Sequence, residues 1–350
     1  MNKKKIAVIG YGGQGAWHCK QILKSDVAEL AGTYDIRQVR MDAAVAEGVH
    51  TYESLEALLA DDIDAVVVAT PNDSHKELVI RALEAGKNVI CEKPVDVSVA
   101  AFDEMCEAAI HYGKLFTVHQ NRRWDVDFLA MKEIVTGGNI GEIIRLESRI
   151  HGSRGIPSDW RCTKVQGGGM ILDWGVHLID QVLQIFAEEK IIKIYCDTTN
   201  ITKTEVDDGF RLTIYFEGGK TAYVEVGTYN FLAMPRFYLQ CKNGSAIISD
   251  WTKKAHVAKL KAWNEKEVLP VQTAAGITKT MAPRDEITLD EYDVEKPVSD
   301  VHDFYRNFCA AIDGKKEQQI TLSQVRKVLQ VMEWAFESAE KGKVIEINRY

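Results

Sequence analysis

The most constraining feature of this chain lies in its first fifteen residues. The apolar run 6–9 leads directly into Gly10-Tyr11-Gly12-Gly13-Gln14-Gly15, and a helix-compatible stretch, 14–23, follows. A second apolar run, 28–34, ends at Asp35, 20 residues beyond Gly15. Strand, G-x-G-x-x-G turn, helix, strand and acid in that order specify a βαβ unit built to hold a dinucleotide. In such a unit Gly10 permits the tight turn, Gly12 lets backbone approach a pyrophosphate, Gly15 lets the helix pack on the sheet, and Gly13 lies within the same cofactor-binding turn. The helix N-terminus at Gln14 then offers free N–H groups and a positive dipole end to the phosphates. Asp35 would accept hydrogen bonds from both ribose hydroxyls and repel a 2′-phosphate, favouring NAD over NADP. Arg37 and Arg40 stand close enough to keep NADP possible.

The grammar of the first third continues this unit. Short apolar runs at 65–69, 88–91 and 115–119 alternate with helix-periodic stretches at 54–60 and 74–85, which predicts a parallel sheet covered on both faces. Beyond about residue 122 the pattern changes. Helices are expected near 128–136 and 169–186. Strands are expected at 142–151, 191–197, 210–216, 221–226, 236–241 and 246–248. Gly218-Gly219 and Asn243-Gly244 mark hairpins, so this second sheet should be mostly antiparallel. Two helices, 301–312 and 322–339, close the chain. The expected fold is α/β: a dinucleotide-binding Rossmann domain over 1–122, then an α+β domain over 123–350 with a large open sheet for substrate binding and oligomerisation. A length of 350 residues fits two cores better than one.

Composition excludes several classes. Lys plus Arg number 43 against 51 Asp plus Glu, a net charge of −8, which disfavours nucleic acid and anionic membrane as partners. No apolar run reaches the ~18–20 residues of a membrane span. Met1-Asn2-Lys3-Lys4-Lys5 could pass for the basic front of a signal peptide. Only four apolar residues separate it from Gly10, so it reads as a strand entered by solvated lysines. Seven widely spaced cysteines with no C-x-x-C pair read as reduced thiols in a cytoplasmic protein.

Further motifs bring a family into view. Ala69-Thr70-Pro71-Asn72-Asp73-Ser74-His75 follows the third strand, and Cys91-Glu92-Lys93-Pro94 ends the fourth. Gly167-Gly168-Gly169 opens the stretch that carries Asp173, Gly175, His177 and Asp180. Together with the glycine turn these resemble the Gfo/Idh/MocA oxidoreductases, by motif over residues 5–180 and by element order to the end. The resemblance implies NAD(P)-dependent oxidation of a secondary hydroxyl, with Lys93, Asp173 and His177 as catalytic triad: His177 the proton acceptor, Lys93 polarising the substrate oxygen. It also implies that Thr70, Pro71, Asn72, His75, Glu92, Lys93, Asn121, Trp160 and Arg161 lie near the cofactor.

The chemistry is coherent on its own terms. Asp173 and His177, four apart, would share a helix face and touch, and a carboxylate hydrogen-bonded to imidazole fixes its tautomer and raises its basicity. Asn121, Arg122, Arg123 and Trp124, at the ligand edge of the first sheet, suit a polyhydroxylated ring, although the two arginines could instead form a domain-junction pair. Asp173, His177 and Asp180 could be read as metal ligands, but the resemblance requires no metal. His177, where the glucose–fructose branch carries Tyr, favours an inositol-dehydrogenase-like substrate: a cyclic polyol, sugar or glycoside. Two alternatives remain, transient use of bound NAD for glycosidic bond cleavage and a non-catalytic nucleotide-sensing regulator. By resemblance, such chains assemble as homodimers or homotetramers through the second sheet.

Overall fold

The computed structural model describes residues 3–262 and 268–347; Met1 and Asn2 of the lysine-rich start, and the last residues of the 123–350 segment, lie outside the described residues. The chain begins with β1 (Lys4–Ile9), α1 (Gly13–Lys24), β2 (Ala28–Tyr34), α2 (Gln38–Ala46) and α3 (Leu55–Ala60). It continues with β3 (Ala65–Val68), α4 (His75–Glu84), β4 (Asn88–Cys91), α5 (Val99–Tyr112) and β5 (Phe116–Val118). The five strands form a parallel sheet in the order β2-β1-β3-β4-β5. Ala65–Val68 are wholly buried, as a strand covered by helices on both faces must be. The order of strand addition reverses between β1 and β3, so the carboxyl ends of these parallel strands flank the crevice where open α/β sheets bind ligands.

The remaining chain supplies α6 (Val126–Gly137), β6 (Ile143–His151), α7 (Val176–Ile185), β7 (Ile191–Thr199), β8 (Gly209–Phe216) and β9 (Thr221–Gly227). Then come β10 (Phe237–Cys241), β11 (Gly244–Ile248), β12 (Ala255–Leu260), β13 (Val271–Thr273), β14 (Gly276–Thr278) and β15 (Leu289–Val294). Helices α8 (His302–Ile312) and α9 (Leu322–Lys341) and the short β16 (Ile345–Glu346) end the described chain. A nine-stranded sheet runs β15-β12-β11-β10-β6-β9-β8-β7-β16. Its pairs are antiparallel except β6 with β9, which run parallel because both point the same way across the sheet centre. The two glycine signals fall in the β8–β9 and β10–β11 hairpins as expected. Strands β12 to β16 were not foreseen, because β15 reads Leu-Asp-Glu-Tyr-Asp-Val and is an exposed, charged edge without apolar alternation.

The second segment does not simply follow the first. Helix α9 returns to pack on α5 and β5, and Arg326 grips Asp103 through two hydrogen bonds of 2.8 and 2.9 Å. Within the second segment, the Arg123 guanidinium donates to both oxygens of Asp180 at 2.8 and 2.6 Å and to Gln324 Oε1 at 2.9 Å. Arg123 and Asp180 are both buried. Removing one partner leaves an uncompensated buried charge, which costs about 3–5 kcal/mol. Arg123→Ala is therefore expected to lower the urea midpoint of unfolding by that equivalent; an unchanged midpoint would contradict a structural role.

Candidate active site

The glycine turn has the geometry of a phosphate cradle. A Cβ on Gly15 would lie 1.8 Å from the Gly10 carbonyl oxygen, so only glycine allows α1 to start this close to β1. Cβ atoms on Gly12 and Gly13 would instead meet nothing within 4 Å. Helix α1 has no side-chain cap at Gly12 and no acid in its first turn, so its opening N–H groups are not claimed by a neighbouring side chain. Gln14 is exposed at the same end. At the tip of β2, Asp35 accepts from the backbone N–H groups of Tyr11 and Arg37 at 2.8 and 2.9 Å. These bonds fix the carboxylate beside the cradle, with lone pairs remaining for further donors. The Arg37 side chain is largely exposed, with its Nε 3.8 Å from Asp35.

Lys93 follows β4 and points its ammonium at Asp173, donating to the backbone carbonyl at 2.9 Å and to Oδ1 at 3.2 Å. Arg161 Nε donates to Oδ2 of the same carboxylate at 3.2 Å. Burial alone would raise the Asp173 pKa, but the charges of Lys93 and Arg161 outweigh it and hold the carboxyl below its usual range. His177 is buried nearby, with Nδ1 sealed from solvent and lacking a hydrogen-bond partner. Its pKa is driven well below 6.5, first by burial and then by the positive charges of Lys93 and Arg122. The imidazole is therefore neutral at physiological pH.

One expectation needs correction. Asp173 and His177 share no hydrogen bond among the described residues, because Ile171–Gly175 is a π-helical turn and α7 starts only at Val176. In this wider turn positions i and i+4 no longer stack. Asp173 thus orients Lys93 and Arg161, and the basicity of His177 is set by burial and charge. The backbone of this turn is held by Asp207, whose Oδ2 accepts from the N–H groups of Met170 and Ile171 at 2.9 and 3.0 Å. Gly169, at φ +104°, passes so close that a Cβ would sit 2.4 Å from Asp207 Oδ1. Burial pushes the Asp207 carboxyl up to about 6.

Glu92, expected near the cofactor, instead centres a second polar group whose members His18 and Tyr305 sequence reading missed. Glu92 Oε1 accepts from His18 Nε2 and His119 Nδ1 at 2.7 and 2.8 Å, while Oε2 accepts from the Lys93 backbone N–H at 3.1 Å. Tyr305 of α8 completes the chain at His18 Nδ1, 2.7 Å away. Burial would raise the Glu92 pKa, but the two histidines outweigh it and hold the carboxyl well below its usual range. Burial lowers the His18 pKa, so its imidazole donates Nε2–H to Glu92 and accepts from Tyr305 at Nδ1. His119 Nε2 is buried and has no hydrogen-bond partner. The oxygens Gln120 Oε1 and Asn121 Oδ1 are buried and unpartnered as well. Three consecutive residues after β5 thus carry a buried polar atom without a partner, which fits a ligand that brings its own polar groups, as a dinucleotide does.

The other expected residues divide. Asn72 donates to the Gly167 carbonyl at 3.1 Å and joins the two segments. His75 lies against the carbonyls of Thr70, Pro94 and Val95 at 2.9–3.2 Å, so it shapes the Lys93 loop from beneath. Pro71 is exposed, and Thr70 Oγ1 accepts from Ser74. Trp160 stacks on Arg161, with the guanidinium carbon 4.5 Å from the ring centroid. Arg122 lies 4.1 Å over Trp174, which in turn meets the His177 ring edge-on at 5.9 Å. Arg123 and Trp124 are not in this group: Arg123 is bound to Asp180, and Trp124 packs edge-on against Phe304. Contrary to the expectation that it meets substrate, Arg123 is buried with its guanidinium engaged by Asp180 and Gln324.

Both segments of the chain match known proteins. Residues 4–120 match an oxidoreductase family with an NAD-binding Rossmann fold, and residues 128–247 match the GFO/IDH/MocA C-terminal domain. The crystal structure of an NAD-binding protein from Listeria innocua is 42% identical, with a TM-score of 0.95, over 99% of this chain and 100% of that one. A scyllo-inositol 2-dehydrogenase (NADP+) of Bacillus subtilis is 27% identical over 98% of this chain and 96% of its own. An uncharacterized oxidoreductase of Schizosaccharomyces pombe is 36% identical over 176 residues, and the chain spans about half (48%) of its length. No helix among the described residues is long and apolar enough to cross a membrane.

Proposed function

Because this chain belongs to the Gfo/Idh/MocA oxidoreductase family, we propose that it is an NAD(P)-dependent dehydrogenase acting on a secondary ring hydroxyl of a cyclic polyol, sugar or glycoside. The observation that carries this reading is Lys93, held on Asp173 at 3.2 Å at the carboxyl edge of the first sheet, together with a buried His177 whose Nδ1 has no hydrogen-bond partner. A nicotinamide dinucleotide supplies, when bound, the acceptor for the two electrons that leave the carbinol carbon. Gly10–Gly15 and Asp35 would hold its phosphates and adenosine ribose. Asn121, with its unpartnered oxygen, and the Thr70–His75 and Trp160–Arg161 loops would line the same cleft.

The residues divide the substrate chemistry between them. His177 takes the hydroxyl proton, because a neutral imidazole with an unengaged nitrogen is a competent base. Lys93 steadies the charge developing on the same oxygen. Asp173 and Arg161 fix the position of that ammonium. The scyllo-inositol relative and the indole, guanidinium and amide groups around His177 support a polyhydroxylated ring as substrate. The rest of the reading keeps the boundary at residue 122, a cytoplasmic location, and assembly through the open face of the nine-stranded sheet. A screen of purified protein against inositols, aldoses and glycosides with NAD and NADP tests it: ketone formation coupled to cofactor reduction is expected, and no reduction with any of them would refute it.

Cofactor choice has its own test. Asp35→Ala removes an acceptor of two ribose hydroxyls, and hydrogen bonds to a charged group contribute about 1.5–3 kcal/mol each. The kcat/KM for NAD should fall about a hundredfold while that for NADP holds or rises. Equal losses with both cofactors would place Asp35 outside the ribose site.

A further inference from the structure

Three aromatic rings step outward from the buried end of the site. His177 is 4% exposed, Trp174 is half-buried, and Trp251 is 47% exposed. Their ring centroids are spaced 5.9 and 5.8 Å apart. The Arg122 guanidinium covers Trp174 at 4.1 Å and reaches 5.9 Å from the Trp251 centroid. Arg122 is itself fixed, donating to Asp125 Oδ2 at 2.9 Å and receiving Gln181 Nε2 on its carbonyl at 2.8 Å. A face of Trp174 is therefore taken by a cation, whereas the indole of Trp251 keeps about half its surface open.

Trp251 is not on a loose loop. It sits in the turn between β11 and β12, where Asp250 Oδ1 accepts from the backbone N–H and hydroxyl of Thr252 at 2.8 and 2.5 Å. Lys296 Nζ donates to the Thr252 carbonyl at 2.5 Å. A lone exposed indole needs no explanation. An indole one ring contact beyond Trp174 from His177, and beside a guanidinium, has the arrangement of a sugar-binding platform. The axial C–H face of a pyranose packs on an aromatic face, and its rim hydroxyls are left to donors and acceptors such as Arg122 and Asp125.

We propose that Trp251 determines substrate specificity by stacking on a second ring, so that the substrate is a glycoside whose oxidised ring lies at Lys93 and His177 and whose attached ring lies on Trp251. This rests on the dehydrogenase reading above and narrows its substrate class. A free inositol or monosaccharide engages the inner positions only.

The test compares Trp251→Ala and Trp251→Phe with wild type in the full chain at saturating cofactor. The substrates are cellobiose and 4-nitrophenyl β-D-glucopyranoside, against glucose and scyllo-inositol. Wild type should show the higher kcat/KM on the two-ring compounds. Trp251→Ala should raise KM for those compounds about tenfold, the size expected for one aromatic contact. Its kcat, its KM for cofactor and its KM for single rings should stay unchanged, and Trp251→Phe should restore most of the loss. An unchanged KM for two-ring compounds, an equal rise for single rings, or a wild type that oxidises single rings alone would each overturn the proposal and leave the dehydrogenase reading standing. A wild type that reduces no cofactor with any of the four overturns both.

Discussion

Lys93→Met is expected to lower kcat about a thousandfold while the protein still folds and binds cofactor. Methionine keeps the length and apolar stem of lysine but removes the ammonium that faces Asp173 at 3.2 Å. A preorganised charge aimed at a developing oxyanion contributes about 10²–10³ in kcat, and more where water is excluded. Substrate KM should move far less than kcat, because the charge acts most strongly on an oxygen that becomes negative only during the reaction. Folding should survive because Asp173 keeps Arg161 as a counter-charge at 3.2 Å. Steady-state kinetics beside a thermal melt checks this. A variant with near-normal kcat would remove Lys93 from the reacting atoms.

His177→Gln is expected to lower kcat by about 10²–10⁴, the range for losing a general base. The pH dependence separates this role from a packing role. The folded-state pKa of His177 lies well below its ordinary 6.5, through burial and then the charges of Lys93 and Arg122. The base form therefore persists below pH 6.5, and the acid limb of kcat/KM in wild type should fall beneath that value. In His177→Gln that limb should vanish from the residual rate. The same shift has a stability consequence. Between the folded pKa and 6.5 the unfolded chain binds a proton that the folded chain does not. The contribution is thus fully present above 6.5 and lost as pH falls through that window. An acid limb retained in His177→Gln would assign it to another group.

How much of this was legible in the sequence depends on the kind of interaction. The first sheet could be read almost residue by residue, because parallel strands buried on both faces appear as unbroken apolar runs such as Ala65–Val68. The glycine turn and Asp35 were legible because each position answers a local steric or hydrogen-bonding demand. The contact between Asp173 and His177 was misjudged because a spacing of four assumes an α-helix, and the π-turn at Ile171–Gly175 rotates one residue away from the other. Arg123 illustrates a different limit. An arginine beside a ligand edge and one locked to Asp180 look alike until the partner, 57 residues away, is brought into place. His18, Tyr305 and Trp251 left no local signal at all, since only the tertiary fold sets them against Glu92 and Trp174.

A single-turnover experiment tests the central claim most directly. Protein in excess over a cyclic polyol or glycoside is mixed with NAD, and NADH absorbance and ketone product are followed together. Lys93 and His177 acting on a ring hydroxyl should yield NADH and ketone in equal amounts, with both signals lost in Lys93→Met. Cleavage of a glycoside with no net NADH, or ketone formation undiminished in Lys93→Met, would contradict it.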